Sequence, residues 1–310
     1  MKEIRSIAVI GTGLVASGMA TLFIANGYDT KMLGISPEEC GRGLSLVRAN
    51  LDDLVQAGVL PGHLPERFLK KLSFTLDYAD LTDADFAVEA VFERAEVKHS
   101  VYRELEKVLS PDAVITSVTS AIPPDVLAEP LARKDRFLVA HPWNPPHLIP
   151  LVEAVRGKET SDGAVETLLS LYGGMGRKVV VLRKAAEGFI GNRLQHALYR
   201  EALHLVEEGI ASPEEIDQVM LSCLAPRFSS VGLLEYFDSC GLDLHYDVQS
   251  KLYPSLCAEA APQKLVTDAI ARGDLGMKTG RGLLEWDEEK KAALRRRKSE
   301  PFYRCFVWKE

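Results

Sequence analysis

A histidine and a glutamate stand on either side of a short proline-rich stretch near the middle of the chain. His141 follows an apolar run at 137–140, and Glu153 lies within a second apolar run at 151–155. Proline fixes φ and cannot donate to a β ladder, so the stretch between the runs is predicted to be a stiff loop joining two strands. If these strands are neighbours, the imidazole faces the carboxylate, as in a general base that works near neutral pH.

The same pair has a second interpretation. A buried histidine can be held by a nearby acid for packing alone, because ion-pair networks that have no part in chemistry also perturb titratable groups. The segment around His141 leaves both interpretations open, and the other motifs of the chain have to decide between them.

The first predicted strand runs into a glycine-rich turn. An apolar run at 4–10 leads into the spacing GxGxxA, and a helix is predicted to follow. Gly11 permits the tight turn, Gly13 lets the backbone approach a pyrophosphate, and Ala16 lets the helix pack close to the strand. The N–H groups at the helix start bind the anion. The residues predicted to contact the cofactor here are Gly11, Gly13, Leu14, Val15 and Ala16.

The second predicted strand, at 29–33, lacks the acidic residue that NAD-selective folds place at its end for the ribose hydroxyls. Gly34 occupies that position. Without the negative charge a 2′-phosphate would not be repelled, and Ser36 or Arg42 could contact it, which favours NADP. Alternatively, backbone groups hold the ribose of NAD, and Glu38 nearby disfavours a phosphate. NAD is the expected cofactor, Gly34 and Ser36 are expected to line its site, and NADP stays open.

Further apolar runs alternate with helical patterns in the first half of the chain. Strands are predicted at 72–75, 86–91, 113–116 and 178–182. A helical hairpin that starts after Ser36 is inserted behind the second strand. Ser120 follows the strand at 113–116, at the carboxyl edge where α/β sheets bind ligands. It is predicted either to donate to a substrate oxygen or to cap the helix before Pro123.

The second half of the chain has the pattern of a helical domain. A long amphipathic helix is predicted to open at 188–194 and run to about 208, with Asn192 either bonding substrate or serving as a structural amide. The predicted fold is α/β, a Rossmann-type doubly wound parallel sheet with an inserted helical hairpin, followed by an all-α C-terminal domain. Residues 1–185 are expected to bind NAD(P), and 186–310 to bind substrate and form a homodimer.

The composition is ordinary for a globular protein. Of 310 residues, 46% are hydrophobic and 26% are charged, and the net charge of −7 argues against a nucleic-acid partner. No apolar run approaches the roughly 18 residues of a membrane helix, and no signal peptide is recognised, so no membrane partner is expected. The five cysteines are dispersed without metal-site spacing, which predicts reduced thiols, a cytoplasmic location and no metal.

In order and spacing, these motifs resemble the 3-hydroxyacyl-CoA dehydrogenase family over nearly the whole chain. The matching pieces are 11–18, 89–93 with Lys98, 117–120, His141 with Asn144 and Pro145, 151–153, 188–193 and 278–282. The resemblance implies that His141 is the catalytic base and Glu153 its orienting carboxylate. It also implies that Ser120 and Asn192 contact the hydroxyl or carbonyl of the substrate.

The resemblance further implies a cofactor site that includes Glu93, Lys98 and Asn144, the first two near the nicotinamide ribose. The proline-rich stretch is most like a branch that acts on free acids, the branch of lambda-crystallin/L-gulonate 3-dehydrogenase and L-carnitine dehydrogenase. Arg227 falls where that branch places a cation, and a guanidinium suits a substrate carboxylate. A surface arginine is the alternative.

The implied activity is NAD(P)-dependent hydride transfer between a small polar 3-hydroxy acid and its 3-oxo acid. Two alternatives stay open. The substrate could be a 3-hydroxyacyl-CoA thioester, for which the inserted hairpin offers four cations: Arg42, Arg48, Lys70 and Lys71. The chain could also be a structural protein that binds the cofactor without turnover, although the intact catalytic set argues against this.

Overall fold

A computed structural model describes residues 3–309 of the chain. The described residues form two compact units, one of 3–190 together with 297–309 and one of Gly191–Arg296.

The first unit is built on one eight-stranded sheet. Its strands are β1 (Ser6–Ile10), β2 (Asp29–Leu33), β3 (Leu72–Thr75), β4 (Phe86–Glu89), β5 (Val114–Ser117), β6 (Phe137–Pro142), β7 (Leu151–Arg156) and β8 (Lys178–Leu182). Their order across the sheet is β3-β2-β1-β4-β5-β6-β7-β8. The strands from β3 to β6 are parallel, whereas β7 and β8 run the other way. The winding reverses between β1 and β4, where such sheets open a crevice for a ligand.

Helices cover both faces of this sheet. The helices of the first unit are α1 (Leu14–Ala25), α2 (Pro37–Gln56), α3 (Leu64–Leu69), α4 (Ala95–Val108), α5 (Pro124–Leu127) and α6 (Asp162–Gly174). Side chains alternate along a strand, so Ile7 and Val9 of β1 enter the core that contains the buried side chains of α1, α2 and α6. Ala8 and Ile10 enter the opposite core, with α4 and α5. The predicted doubly wound sheet and the hairpin after β2 are confirmed.

The second unit is helical, as expected. Its helices are α7 (Gly191–Glu207), α8 (Pro213–Val219), α9 (Ala225–Phe228), α10 (Leu233–Ser239), α11 (Leu242–Leu252) and α12 (Lys264–Ala271). Ser212 starts α8 through a capping box, because its hydroxyl accepts from Glu215 N at 3.2 Å and its own N–H donates to Glu215 Oε2 at 2.8 Å. Within residues 3–309, no helix is both long and apolar enough to cross a membrane.

The C-terminal segment differs from the expectation that 186–310 forms one domain. Helix α13 (Glu288–Tyr303) continues past residue 297 into the first unit. Phe306 is buried in the core of that unit, Asn26 donates to Val307 O at 2.9 Å, and Arg177 donates to Cys305 O at 2.9 Å. The physical reason is composition: residues 302–308, after the basic run, are mostly aromatic and apolar and gain by burial.

Candidate active site

Strands β6 and β7 place His141 and Glu153 opposite each other. Their antiparallel register pairs the two residues directly, so both side chains leave the sheet on the same face. Nδ1 of His141 lies 3.1 Å from Oε2 of Glu153. The two side chains are 8% and 1% exposed, respectively. The two strands are therefore neighbours, and the pair expected from the sequence is formed.

The carboxylate of Glu153 is held by further donors. Trp143 Nε1 donates to Oε2 at 3.1 Å, and Ile190 N donates to Oε1 at 2.8 Å. Phe189, which precedes Ile190, has a φ of 51°, an uncommon left-handed value for an aromatic residue, and its ring lies 5.3 Å from that of His141. Because a carboxylate only accepts, Nδ1 carries the proton of the neutral imidazole, and Nε2 is an acceptor.

Ser120 brings an exposed hydroxyl to that acceptor nitrogen. Its Oγ lies 3.2 Å from His141 Nε2. Ser120 follows β5, which pairs with β6, so both residues stand at the carboxyl edge of the sheet. Helix α5 has Pro123 at its N-cap, with no side-chain cap bond among the described residues. The alternative expectation, that Ser120 caps this helix, is therefore wrong.

Glu93 approaches Ser120 from the segment after β4. Its Oε1 accepts from Ser120 N at 3.0 Å and from the Thr119 hydroxyl, and its Oε2 lies 3.2 Å from Lys98 Nζ. Partial burial alone would raise the pKa of Glu93, but the Thr119 hydroxyl and the Lys98 ammonium outweigh this effect and lower it. Glu93 is half exposed as a carboxylate, whereas Lys98 is completely buried.

The turn after β1 has the shape that a pyrophosphate requires. Gly11 has a φ of 115°, and a Cβ there would lie 2.6 Å from Ala90 O, so no other residue fits. A Cβ on Gly13 would meet no atom within 4 Å. Helix α1 has no acidic residue in its first turn, and Leu14 at its start is 67% exposed. The N–H groups of this helix start therefore fit the phosphates of a dinucleotide.

At the end of β2, a side chain in place of Gly34 would meet the Cys40 thiol. Gly34 is buried, and a Cβ there would lie 2.6 Å from Cys40 Sγ. Ser36 caps α2 by accepting from Glu39 N at 3.3 Å, and Arg42 lies 3.3 Å from the Glu39 carboxylate. A side chain at position 34 therefore requires the Cys40 thiol to move, and the two groups considered for a 2′-phosphate already have partners.

The remaining predicted site residues lie on other segments. Asn144 is exposed in the loop between β6 and β7. Asn192, in the first turn of α7, and Arg227, in α9, belong to the second unit. The Arg227 guanidinium lies 4.6 Å from the centre of the Tyr236 ring. The ligand contacts of Asn144, Asn192 and Arg227 stay predictions.

Several residues that shape the site were not identified from the sequence. Trp143 could have been identified from the sequence, since an indole N–H two residues past the histidine must find an acceptor if it is buried. Ile190 acts through its backbone N–H, for which sequence gives no signal. Glu89 follows the apolar residues of β4 in the sequence, and only the fold shows that its carboxylate is buried.

A dinucleotide-compatible turn and a histidine–glutamate dyad at the carboxyl edge of one doubly wound sheet define a dinucleotide-dependent dehydrogenase. The NAD binding domain of 3-hydroxyacyl-CoA dehydrogenase matches residues 6–185 of the chain, and the C-terminal domain of 3-hydroxyacyl-CoA dehydrogenase matches residues 188–286. The chain belongs to the 3-hydroxyacyl-CoA dehydrogenase family, and its cofactor is NAD.

Relatives within this family include enzymes of small acids. The chain is 30% identical over 292 residues to 5-formyl-3-hydroxy-2-methylpyridine 4-carboxylate 5-dehydrogenase of Mesorhizobium japonicum, with 94% of each chain covered. It is 32% identical over 301 residues to L-carnitine dehydrogenase of Streptomyces griseus, with 89% of each covered. The solved structure of an NAD+-dependent 5-formyl-3-hydroxy-2-methylpyridine 4-carboxylic acid 5-dehydrogenase has a TM-score of 0.88 at 29% identity, over 97% of both chains.

Proposed function

We propose that this protein is an NAD-dependent dehydrogenase that interconverts a small polar 3-hydroxy acid and its 3-oxo acid. The observation that carries the proposal is the dyad: His141 Nδ1 lies 3.1 Å from Glu153, and Nε2 lies 3.2 Å from the exposed Ser120 hydroxyl. An imidazole held in this way accepts a proton at Nε2, and the carboxylate stabilises the charge that results.

In the oxidation, Nε2 of His141 takes the proton of the C3 hydroxyl. NAD, when bound, supplies the acceptor for the hydride that leaves C3. The electron pair of the broken O–H bond becomes the second bond of the carbonyl, which gives the 3-oxo acid. Ser120 and Asn192 are the proposed donors to this oxygen. In the reduction, His141 returns the proton.

The proposed substrate is a free carboxylate, bound by Arg227. Both relatives described above are named for dehydrogenation of small compounds rather than thioesters. Within the described part of the chain, Arg227 forms no ion pair with a carboxylate; it stacks on Tyr236 at 4.6 Å and lies 3.4 Å from Cys223 Sγ. Its positive charge is therefore available to a bidentate anionic ligand.

A coenzyme A thioester is the second candidate substrate, because the matching family takes its name from such compounds. The hairpin cations that would bind the nucleotide are mostly engaged. Arg48 lies 2.8 Å from Glu66, Lys71 lies 2.8 Å from Asp29, and Arg42 lies 3.3 Å from the Glu39 carboxylate. Exposed ion pairs are weak and exchangeable, so they lower the local positive field without excluding a ligand. They favour the free acid.

The proposed assembly is a homodimer through the second unit. That unit exposes many large apolar side chains, which include Leu221, Leu233, Leu234, Leu242, Tyr246 and Leu252. Exposed apolar side chains in this number are often covered by a partner, and a second copy is the commonest one. A cytoplasmic location is proposed from the cysteines, all five of which are unpaired.

Steady-state turnover with matched substrates tests the proposal. Free 3-hydroxy acids and 3-hydroxyacyl-CoA thioesters are offered with NAD, and formation of the reduced cofactor is followed by absorbance. We expect turnover of free acids. The Arg227→Gln variant should have a KM raised about 10-fold or more and a similar kcat, because it loses a contact that binds substrate and transition state equally. Arg42→Gln, on the hairpin, is the control and should leave free-acid kinetics unchanged. Higher kcat/KM for the thioesters, reduced by Arg42→Gln, would favour the second candidate.

A further inference from the structure

A polar cluster with no part in the proposed proton transfer is sealed beneath the active site. Glu89 at the end of β4, Ser117 at the end of β5, and Lys98 and Tyr102 on α4 are all 0% exposed. The Glu89 carboxylate accepts from Lys98 Nζ at 2.8 Å, Tyr102 Oη at 2.5 Å, Ser117 Oγ at 2.7 Å and Val91 N at 2.9 Å. A buried carboxylate with four donors is fully satisfied and fixed in place.

The ammonium of Lys98 is equally well accounted for. Its three acceptors are Glu89 Oε1 at 2.8 Å, Glu93 Oε2 at 3.2 Å and Val91 O at 3.5 Å. An ammonium has three protons to donate, so each of them has a protein acceptor. Within the protein, Lys98 therefore acts on Ser120 through Glu93, and its contact with the cofactor stays a prediction.

Glu93 in turn fixes Ser120. Its Oε1 accepts from Ser120 N at 3.0 Å, and the Ser120 hydroxyl lies 3.2 Å from His141 Nε2. An unbroken series of contacts thus runs from Glu89 through Lys98 and Glu93 to Ser120 and the catalytic imidazole.

We infer that Glu89 is a positioning residue, whose buried carboxylate holds Lys98, and through it Glu93, in the place that sets the Ser120 hydroxyl against His141. The effect of Glu89 on catalysis rests on the proposed function. Without the negative charge at Glu89, the buried ammonium would have Glu93 as its remaining carboxylate. The ammonium would then draw Glu93 toward itself, away from Ser120 N, because a buried charge is costly unless it is paired.

Three variants of the full chain separate positioning from simple stabilisation. Glu89→Gln removes the charge and keeps the shape. Tyr102→Phe is the matched control, since it removes one donor from the same carboxylate and leaves the Lys98 contact. Glu89→Gln combined with Lys98→Met removes both charges, so no unpaired ion is left in the interior and the chain should fold.

We expect Glu89→Gln to lower kcat roughly 10- to 100-fold, the size of effect that a small misplacement produces. The KM for the hydroxy acid should change less than about 3-fold, because the proposed carboxylate contact of Arg227 is untouched. Tyr102→Phe should keep kcat within about 3-fold. The double variant should regain thermal stability but not kcat, because Glu93 Oε2 then loses the Lys98 ammonium that fixes it. A double variant whose kcat recovers together with its stability would show that the cluster is only structural.

A crystal structure of Glu89→Gln, in which the Lys98 ammonium is still present to draw Glu93 away, supplies a test that needs no turnover. The separation of Ser120 Oγ and His141 Nε2 should exceed the hydrogen-bonding limit of about 3.5 Å. An unchanged separation of 3.2 Å would overturn the inference. If the wild-type protein oxidises none of the hydroxy acids, that result counts against the proposed function. The distance between Ser120 Oγ and His141 Nε2 would still decide the role of Glu89.

Discussion

His141 and Glu153 occupy directly opposed positions on two neighbouring antiparallel strands, with Nδ1 of the imidazole 3.1 Å from the carboxylate. This register brings the side chains together without help from any loop, because opposed residues of an antiparallel pair project from the same face. The dyad is therefore a property of the sheet, which is a rigid element on which to build a proton acceptor.

Replacing the imidazole tests its role as the base. His141→Gln keeps a polar side chain of similar length but cannot take a proton at neutral pH. We expect kcat to fall about 10²- to 10⁴-fold, the usual contribution of general acid–base catalysis. NAD binding, measured by calorimetry, should be nearly unchanged because the pyrophosphate turn is distant in sequence and untouched. Near-normal turnover by this variant would show that another group is the base.

Removing the charge of Glu153 tests how the imidazole is held. Glu153→Gln keeps one acceptor oxygen, so it can accept from Ile190 N or from Trp143 Nε1 but not from both. Its neutral amide no longer stabilises a charged imidazole or enforces the Nδ1–H tautomer. A loss of kcat of about 10² or more is expected, by analogy with the orienting carboxylate of other histidine-based sites. Trp143→Phe, which removes one donor to the same oxygen, is the control and should cost only a few-fold. Equal losses in the two variants would point to disrupted packing instead.

Sequence patterns were sufficient for the local features of this protein. Strand β2 has the predicted limits, and helix α2 begins where it was predicted, because the Ser-Pro-Glu-Glu start is a local signal. The pairing of His141 with Glu153 was also within reach, since a short stiff loop joins their strands. In each case the decisive residues lie within about 20 positions of one another, on the scale of a supersecondary unit.

Features that depend on distant parts of the chain were not predictable in this way. The Glu89 carboxylate accepts from the Ser117 hydroxyl, on a strand that follows the whole of α4, and the Asn26 amide donates to the carbonyl of Val307, 281 residues further along the chain. Such contacts are set by sheet register and tertiary packing, which leave no local pattern in the sequence. The missing acid at Gly34 could be noticed in the sequence, but the close approach of the Cys40 sulfur to this position required the structure.

The close contact of Gly34 with Cys40 leads to a prediction about cofactor choice. In Gly34→Asp alone, the new Cβ would lie 2.6 Å from Cys40 Sγ, so the variant should be less stable and should bind NAD more weakly. Combined with Cys40→Ala, the new carboxylate can reach the ribose hydroxyls and repel a 2′-phosphate. The ratio of Kd for NADP to Kd for NAD should then rise about 10-fold or more, equivalent to roughly 1.4 kcal/mol.

Calorimetric titration of both cofactors checks this expectation. Cys40→Ala alone is the control, and its ratio of the two Kd values should match that of the wild type. If the combined variant folds normally and the ratio does not change, the end of β2 does not contact the ribose in this protein.

A buried histidine outside the dyad predicts a pH-dependent stability. Burial, reinforced by the charge of Arg177, lowers the pKa of His147 to about 4, and its Nδ1 has no hydrogen-bond partner among the described residues. The unfolded chain, with a histidine pKa near 6.5, binds this proton first, so stability falls as the pH drops from about 6.5 toward 4. The contribution of His147 should amount to about 2 kcal/mol between pH 7 and pH 5.

Urea unfolding of the wild type and of His147→Gln at these two pH values isolates this effect. Carboxylates titrate in both proteins, so the difference between them reports the histidine. We expect the wild type to lose about 2 kcal/mol more than the variant on going to pH 5, because glutamine has no proton to gain there. Equal losses in the two proteins would mean that His147 is already protonated in the folded state or accessible to water.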